Sequence, residues 1–164
     1  MKKIFMFMAL TATVTLLCVS CKKDEKSPED TASELVGSDW QGYISGYKKN
    51  GSEWVFNNER NFAVVRFTAN ADDPLKGKGY QLEYENENKY ENTGKAEFTW
   101  NVTDDKLHIA YITEGWGDVY LEYNKNCEIK GDRFSGEMFD YHDHKYVFEF
   151  WKTTFYGWEQ FFQL

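Results

Sequence analysis

Hydrophobic and polar residues alternate with a period of two from Trp40 almost to the end of the chain. Residues 80–84 read Tyr-Gln-Leu-Glu-Tyr, and residues 98–102 read Phe-Thr-Trp-Asn-Val. Successive side chains of a β-strand point to opposite faces, so each run predicts a strand with one buried and one solvated face. The alternation therefore restricts the chain to a fold built from strands, which is the all-β class.

The alternating runs are short and numerous. They cover residues 40–47, 61–68, 80–84, 98–103, 107–111, 119–123, 133–141 and 146–150. Turn residues such as Asn50-Gly51 and Gly131-Asp132 separate them and leave no room for crossover helices. Consecutive strands should pair antiparallel, and about eight of them close most simply into an up-and-down β-barrel without an exposed edge. A two-sheet β-sandwich is the alternative.

Aromatic residues make up 18% of the chain, and their volume bears on what a barrel could hold. An eight-stranded barrel is just wide enough to be filled by side chains or to hold one small ligand. We expect these rings to point inward: Tyr80, Tyr84, Phe98, Trp100, Tyr111, Tyr123, Phe148 and Phe150. A filled or nearly filled barrel is then favoured, and recognition would move to its mouth or outer surface.

Two tryptophans and the last ten residues lie outside the strands that are predicted to form the barrel core. Trp116 is flanked by glycines in a predicted turn, and Trp54 precedes a loop, so both are candidate ligand contacts. Each could instead fold back over one end of the barrel. Residues 155–164 fit both helical spacing and strand alternation, and either form would need to bury its rings against the barrel.

Residues 1–20 have the organisation of a secretory signal peptide. Two lysines precede an apolar run over residues 4–19, which ends at Ser20. The run is shorter than the roughly 20 predominantly apolar residues of a membrane span, although a single-pass anchor is the alternative. We therefore expect residues 1–20 to be removed.

The segment Leu16-Leu17-Cys18-Val19-Ser20-Cys21 resembles a bacterial lipobox, in which a small residue precedes a cysteine that is acylated. Ser20 is small, whereas Leu17 before Cys18 is bulky, so the resemblance implies acylation of Cys21. The charges that follow resemble the export signal of surface lipoproteins in Bacteroidota. The resemblance implies an outer-membrane lipoprotein that is anchored through Cys21 and exposed on the cell surface. A merely solvated tether is the alternative interpretation of these charges.

Residues 21–36 are predicted to form a lipidated flexible tether that leads to a barrel domain at residues 37–164. Within the tether, Asp30-Thr31-Ala32 resembles the short O-glycosylation motif of the same bacteria, which makes Thr31 a candidate modification site. Chance occurrence of three residues is the alternative. Cleavage and acylation would leave Cys127 as the remaining thiol, so an internal disulfide is not expected.

The start of the predicted barrel resembles a known family. Gly37 and Trp40 stand as in the Gly-x-x-Trp motif that opens lipocalin-like (calycin) domains. The resemblance implies an up-and-down barrel whose first tryptophan closes one end, as in small lipocalin-like surface lipoproteins of Bacteroidota. The family's disulfide and its late arginine are not recognisable in this sequence, so the identity of a ligand is not transferred.

Candidate chemistry is concentrated in Asp140, His142 and His144, which share one face of an extended chain. Two histidines at this spacing can bind one metal ion. The same residues are also typical of a polar hairpin turn, and we favour the turn because the sequence shows no further ligand nearby. No nucleophile-elbow, Walker or zinc-protease motif occurs. The acidic row that includes Glu83 is interpreted as solvating an exposed strand face, and neither a cofactor nor an enzymatic activity is expected.

The chain has 19 basic and 27 acidic residues and a net charge of −8, which excludes nucleic acid as a favoured partner because the phosphate backbone would be repelled. The sequence therefore predicts a non-enzymatic, surface-anchored, lipocalin-like barrel that binds a small apolar or glycan-derived ligand. The alternative is a structural or interaction module with a filled barrel that engages an envelope or host protein.

Overall fold

Eight antiparallel strands close into an up-and-down barrel, and a ninth short strand is added to it. The computed structural model describes residues 25–87 and 92–164. The strands are β1 (Asp39–Asn50), β2 (Glu53–Ala69), β3 (Lys76–Tyr84), β4 (Asn92–Val102), β5 (Leu107–Tyr111), β6 (Val119–Leu121), β7 (Cys127–Lys130), β8 (Arg133–Asp140) and β9 (His144–Thr153). Two helices of the described residues accompany them, α1 (Pro28–Leu35) and α2 (Trp158–Phe161). The predicted all-β barrel is confirmed, and the sandwich alternative is not formed.

The barrel closes along the edge of β8. Strand β1 pairs with both β2 and β9, and β8 pairs with β9. The opposite edge of β8 is shared: β6 pairs with it near Asp140, and β7 pairs with it near Gly136. The short strands β6 and β7 thus act together as one interrupted strand that closes the sheet along β8.

Helix α1 and Trp40 close one end of the barrel, which we call the closed end. Ser27 caps α1 by accepting a hydrogen bond from the amide of Asp30, and Pro28 opens its first turn. Leu35 is fully buried, and its carbonyl accepts a hydrogen bond from the Trp40 indole at 2.9 Å. Residues 28–35 of the tether predicted over residues 21–36 form this helix, and burial of one helix face fixes them to the barrel. The anchor candidate Cys21 lies outside the described residues.

Large rings fill the half of the interior nearer the closed end. Phe98, Trp100, Phe148 and Phe150 are each at most 4% exposed and belong to the main core cluster. A Cβ atom on Gly79, the partner of Phe98 on the neighbouring strand β3, would lie 2.1 Å from the Phe98 ring. The absence of a side chain at this position is therefore what makes room for the ring.

The expectation that Tyr80 and Tyr84 point inward is wrong. Both rings belong to a second apolar cluster, together with Leu82 and Trp158, between the outer face of β1–β3 and the C-terminal segment. The alternate residues of β3, Gln81 among them, point into the barrel instead. Helix α2 covers the apolar face of β3 from outside the barrel and shields it from solvent. The polar face of β3 therefore lines the barrel interior.

The C-terminal segment follows the helical alternative and is held by Asp39, which is 4% exposed. Its Oδ1 accepts hydrogen bonds from Arg66 Nε at 2.6 Å and from the Trp158 indole at 3.1 Å. Its Oδ2 accepts from Arg66 Nη2 at 3.0 Å and from the Phe155 amide at 2.7 Å. One carboxylate thus joins β1, β2 and the segment that carries α2.

We expect Asp39→Asn to lower the free energy of unfolding by about 3 kcal/mol, because it removes the negative charge from a buried pair with Arg66. The variant should also detach the C-terminal segment and shift the emission of Trp158 to longer wavelength. Urea unfolding followed by tryptophan fluorescence measures both effects. Asp73→Asn is the control, since Asp73 pairs with Lys76 on the surface, and it should change stability little. Equal effects of the two variants would contradict the role of Asp39.

Candidate functional site

A cavity of about 220 Å³ opens at the end of the barrel opposite α1, which we call the open end. It is lined by inward-facing residues of seven strands and by the loop between β5 and β6. Its apolar lining includes Ile44, Val119 and Met138. Wider depressions lie near Thr68, where most lining residues are exposed, and near Tyr43, where most are half-buried on the outside of the barrel. The open-end cavity therefore reaches into the interior, and we take it as the candidate site.

The floor of the cavity is a chain of hydrogen bonds. Tyr111 Oη donates to Gln81 Oε1 at 2.6 Å, and Gln81 Nε2 donates to Glu83 Oε1 at 3.0 Å. Asn61 Nδ2 donates to the other carboxylate oxygen of Glu83 at 2.8 Å. The chain fixes the orientation of each polar group, which gives the cavity a defined pattern of donors and acceptors.

Burial raises the pKa values of both ionisable groups at the floor of the cavity, Glu83 and Tyr111. It raises the pKa of Glu83, although the hydrogen bonds from Gln81 and Asn61 oppose the shift. Burial also raises the pKa of Tyr111 above its ordinary value, and the nearby charge of Glu83 adds to this effect. The phenol is therefore neutral at physiological pH and acts as a hydrogen-bond donor to Gln81.

Trp116 stands at the rim of the cavity. Gly115 before it has a φ of +87°, and the Trp116 amide donates to the Thr113 carbonyl at 3.3 Å, so a tight turn presents the ring. The ring centroid lies 5.1 Å from that of Tyr111. A Cβ atom on Gly94 would lie 3.2 Å from the indole, so the ring rests closely on β4. This candidate contact lines the cavity.

Trp54, the second candidate contact, does not line this cavity. Its ring lies 6.1 Å from Phe139, which in turn lies 5.8 Å from Tyr120. Phe139 follows the inward residue Met138, so the row of rings is on the outer face of the barrel. Lys145 extends over the Trp54 ring at 5.5 Å. The two tryptophans therefore belong to different surfaces.

Asp140 organises the hairpin between β8 and β9. Its Oδ1 accepts hydrogen bonds from the amides of His142 at 2.8 Å and His144 at 2.9 Å, and its Oδ2 lies 2.7 Å from His144 Nδ1. Asp143 has a φ of +60°, as a tight turn requires. His142 is exposed. Within residues 25–87 and 92–164, no three His, Cys, Asp or Glu side chains are grouped to hold a metal ion.

Thr31 and Cys127 are both inside the protein. Thr31 is fully buried on α1, so its hydroxyl is out of reach of a modifying enzyme in the folded chain. The thiol of Cys127 is buried on β7, and burial raises its pKa to about 12. It is a small apolar core residue and not a nucleophile.

Glu83 faces the interior of the barrel and not, as predicted from the sequence, the solvent. Its place in an acidic row suggested a solvated face, whereas the structure turns it into the cavity beside Gln81. A usable signal was present in Gly77 and Gly79, which precede it on the same face of β3. Glycine in the interior of a strand marks a close approach of other groups and thus an inward face.

Comparison with protein-family models and with curated proteins finds no match. Among the helices of the described residues, none is long and apolar enough to cross a membrane.

We expect Asp140→Ala to lower the free energy of unfolding by about 1–3 kcal/mol, because two backbone amides of the turn lose their acceptor. His142→Ala should change it by no more than about 0.5 kcal/mol, as at ordinary surface positions. Thermal unfolding at pH 7 measures both. A metal-dependent rise in Tm that disappears in His142→Ala would contradict the purely structural role of this hairpin.

The contribution of Asp140 should also depend on pH. Burial raises the pKa of Asp140, but the hydrogen bonds from His144 and His142 together outweigh it, so the net pKa is lowered. Its stabilisation is therefore complete above the unfolded pKa of about 3.9 and is lost as the pH falls through the folded value. The Tm difference between wild type and Asp140→Ala should shrink on acidification from pH 6 to pH 2. A constant difference would contradict this linkage.

Proposed function

We propose that this protein binds a small ligand in the open-end cavity without converting it, with Trp116 as a contact. The observation that carries the proposal is the cavity itself, about 220 Å³ of space inside a barrel whose other half is packed with rings. Ligand sites combine such a concave space with a few fixed polar groups. The hydrogen-bonded floor around Gln81 supplies those groups.

The energetic cost of this arrangement supports a functional role. An unfilled space and a partly buried carboxylate both lower stability relative to a packed apolar core. The chain could fill the open half with rings, as it does around Phe98 and Trp100 in the closed half. Space at Glu83 is more readily explained by ligand binding than by the alternative, an interaction module with a filled barrel.

The floor also bears on the chemistry of the ligand. The sequence predicts a small apolar or glycan-derived molecule. Gln81, Glu83 and Asn61 favour a ligand that exchanges hydrogen bonds with the floor, because an entirely apolar ligand would bury these groups without replacing their water. We therefore prefer a ligand with hydrogen-bond donors over a purely apolar one.

We also propose that the protein is an outer-membrane lipoprotein anchored through Cys21 and exposed on the cell surface. The lipobox-like sequence supports this proposal. The geometry is compatible with it, since the amide of Lys26 donates to Asn124 at 2.9 Å beside the closed end. Lys26 also contacts Glu34 and the carbonyl of Ile129 through its ammonium group. An anchor a few residues earlier would let the cavity open away from the membrane.

Anchoring predicts that Cys21→Ser moves the protein from the membrane fraction to the soluble fraction, because the acylated thiol is lost. Cys18→Ser is the matched control and should leave it in the membrane fraction. Metabolic labelling with an alkyne fatty acid followed by fractionation measures both. Lipid retained in Cys21→Ser would contradict the assignment.

The ligand site predicts that small fragments perturb the Trp116 indole signal in NMR spectra of the mature chain labelled with ¹⁵N. Trp116→Ala should weaken binding of these fragments at least tenfold, because a large ring contact at the rim is lost. Trp151→Ala is the matched control, since Trp151 is 42% exposed on the outer face of β9, and it should leave affinity unchanged. A fragment screen that perturbs only outer-face residues such as Trp54 would contradict the proposed site.

A further inference from the structure

The charge of the open-end cavity narrows the class of ligand, and this inference rests on the proposed function. Glu83 lies at the floor, and Glu59 lines the cavity nearer its mouth. The lining residues that the structure describes include no lysine, arginine or histidine. Two carboxylates facing a partly enclosed space give it a negative potential, which attracts cations and repels anions.

Glu83 has no cationic partner among the described residues. Other acidic side chains with low exposure do have one: Asp39 pairs with an arginine and Glu122 with a lysine. Glu83 instead accepts hydrogen bonds from the neutral amides of Asn61 and Gln81. A carboxylate has about four acceptor sites, so these two bonds leave room for a further donor.

Partial burial of the Glu83 carboxylate with unused acceptor sites is energetically unfavourable in the absence of a ligand. Burial raises the pKa of Glu83, which means that the protein surroundings disfavour the ionised form relative to water. An ammonium group brought next to it would restore a counter-charge and add a charge-assisted hydrogen bond. The floor is therefore better suited to a cation than to a neutral donor.

The walls suit an organic cation better than a metal ion. Trp116, Tyr111 and Tyr146 line the same space, and aromatic rings attract ammonium groups over their faces as well as packing against apolar carbon. Calcium takes about six to eight oxygen ligands. The amides of Asn61 and Gln81 turn their nitrogen atoms toward Glu83, which leaves too few oxygens for such a shell.

We propose that the cavity selects a small primary amine that is protonated at neutral pH, with its ammonium group against Glu83 and its apolar part against Trp116. The cavity volume of about 220 Å³ is below the roughly 300 Å³ at which drug-sized pockets begin, so the ligand is a small amine and not a peptide.

Three probes of nearly equal shape test the charge preference: 2-phenylethylamine, 2-phenylethanol and phenylacetate. They are titrated into the mature chain and followed by calorimetry and by the NMR signal of the Trp116 indole. The amine should bind at least tenfold more tightly than the alcohol, and the carboxylate should not bind, because like charges repel in the cavity.

Glu83→Gln isolates the carboxylate. The change keeps the shape, and the Asn61 amide can rotate to accept a hydrogen bond from the new amide. Affinity for the amine should fall at least tenfold, to that for the alcohol, while affinity for the alcohol stays the same. Glu97→Gln is the control, since it removes one negative charge from an exposed position on β4 and should leave all three affinities unchanged. The melting temperature of each variant establishes that it is folded.

The outcomes separate the two proposals. If the alcohol or phenylacetate binds as tightly as the amine in the cavity, the amine preference is wrong and the ligand-binding function stands. Loss of amine affinity in Glu97→Gln equal to that in Glu83→Gln would also overturn the preference, because the effect would then be one of net charge. If none of the probes binds, both proposals are contradicted.

Discussion

The buried carboxylate of Asp39 decides how the two faces of the sheet are used. It holds Arg66, Trp158 and the Phe155 amide together, and so keeps the C-terminal segment on the outside of β1–β3. With that outer face covered, the apolar residues of β3 are buried outside the barrel, and the polar residues of the same strand face its interior. The cavity thus follows from an interaction on the opposite side of the sheet.

The interior is consequently divided into two halves. Near the closed end, glycine positions on β3 admit the rings of Phe98 and Trp100, and α1 seals the barrel. Near the open end, Gln81 and Glu83 occupy the corresponding positions and leave space. Stability comes mainly from the packed half, which allows the other half to carry polar groups that a core of uniform packing would exclude.

Strand alternation was sufficient to predict the barrel, because a period of two is a backbone property that does not depend on tertiary contacts. It could not assign the inward face of residues 80–84, since both faces of this strand are covered and only the position of α2 distinguishes them. Ser27 and Pro28 are typical of a helix start. The burial of helix α1 could still not be predicted from them, because it depends on contacts with the end of the folded barrel. Trp116 was predicted as a candidate contact from its flanking glycines, whereas Glu83 became a candidate only once the fold had brought it into the cavity.

A crystal structure of the protein grown with millimolar 2-phenylethylamine tests most directly whether the open-end cavity is an amine site built on an inward-facing Glu83. We expect the ammonium nitrogen about 3 Å from the Glu83 carboxylate, with the phenyl ring against Trp116. An amine bound only on the outer surface, or a Glu83 side chain that points to solvent, would contradict it.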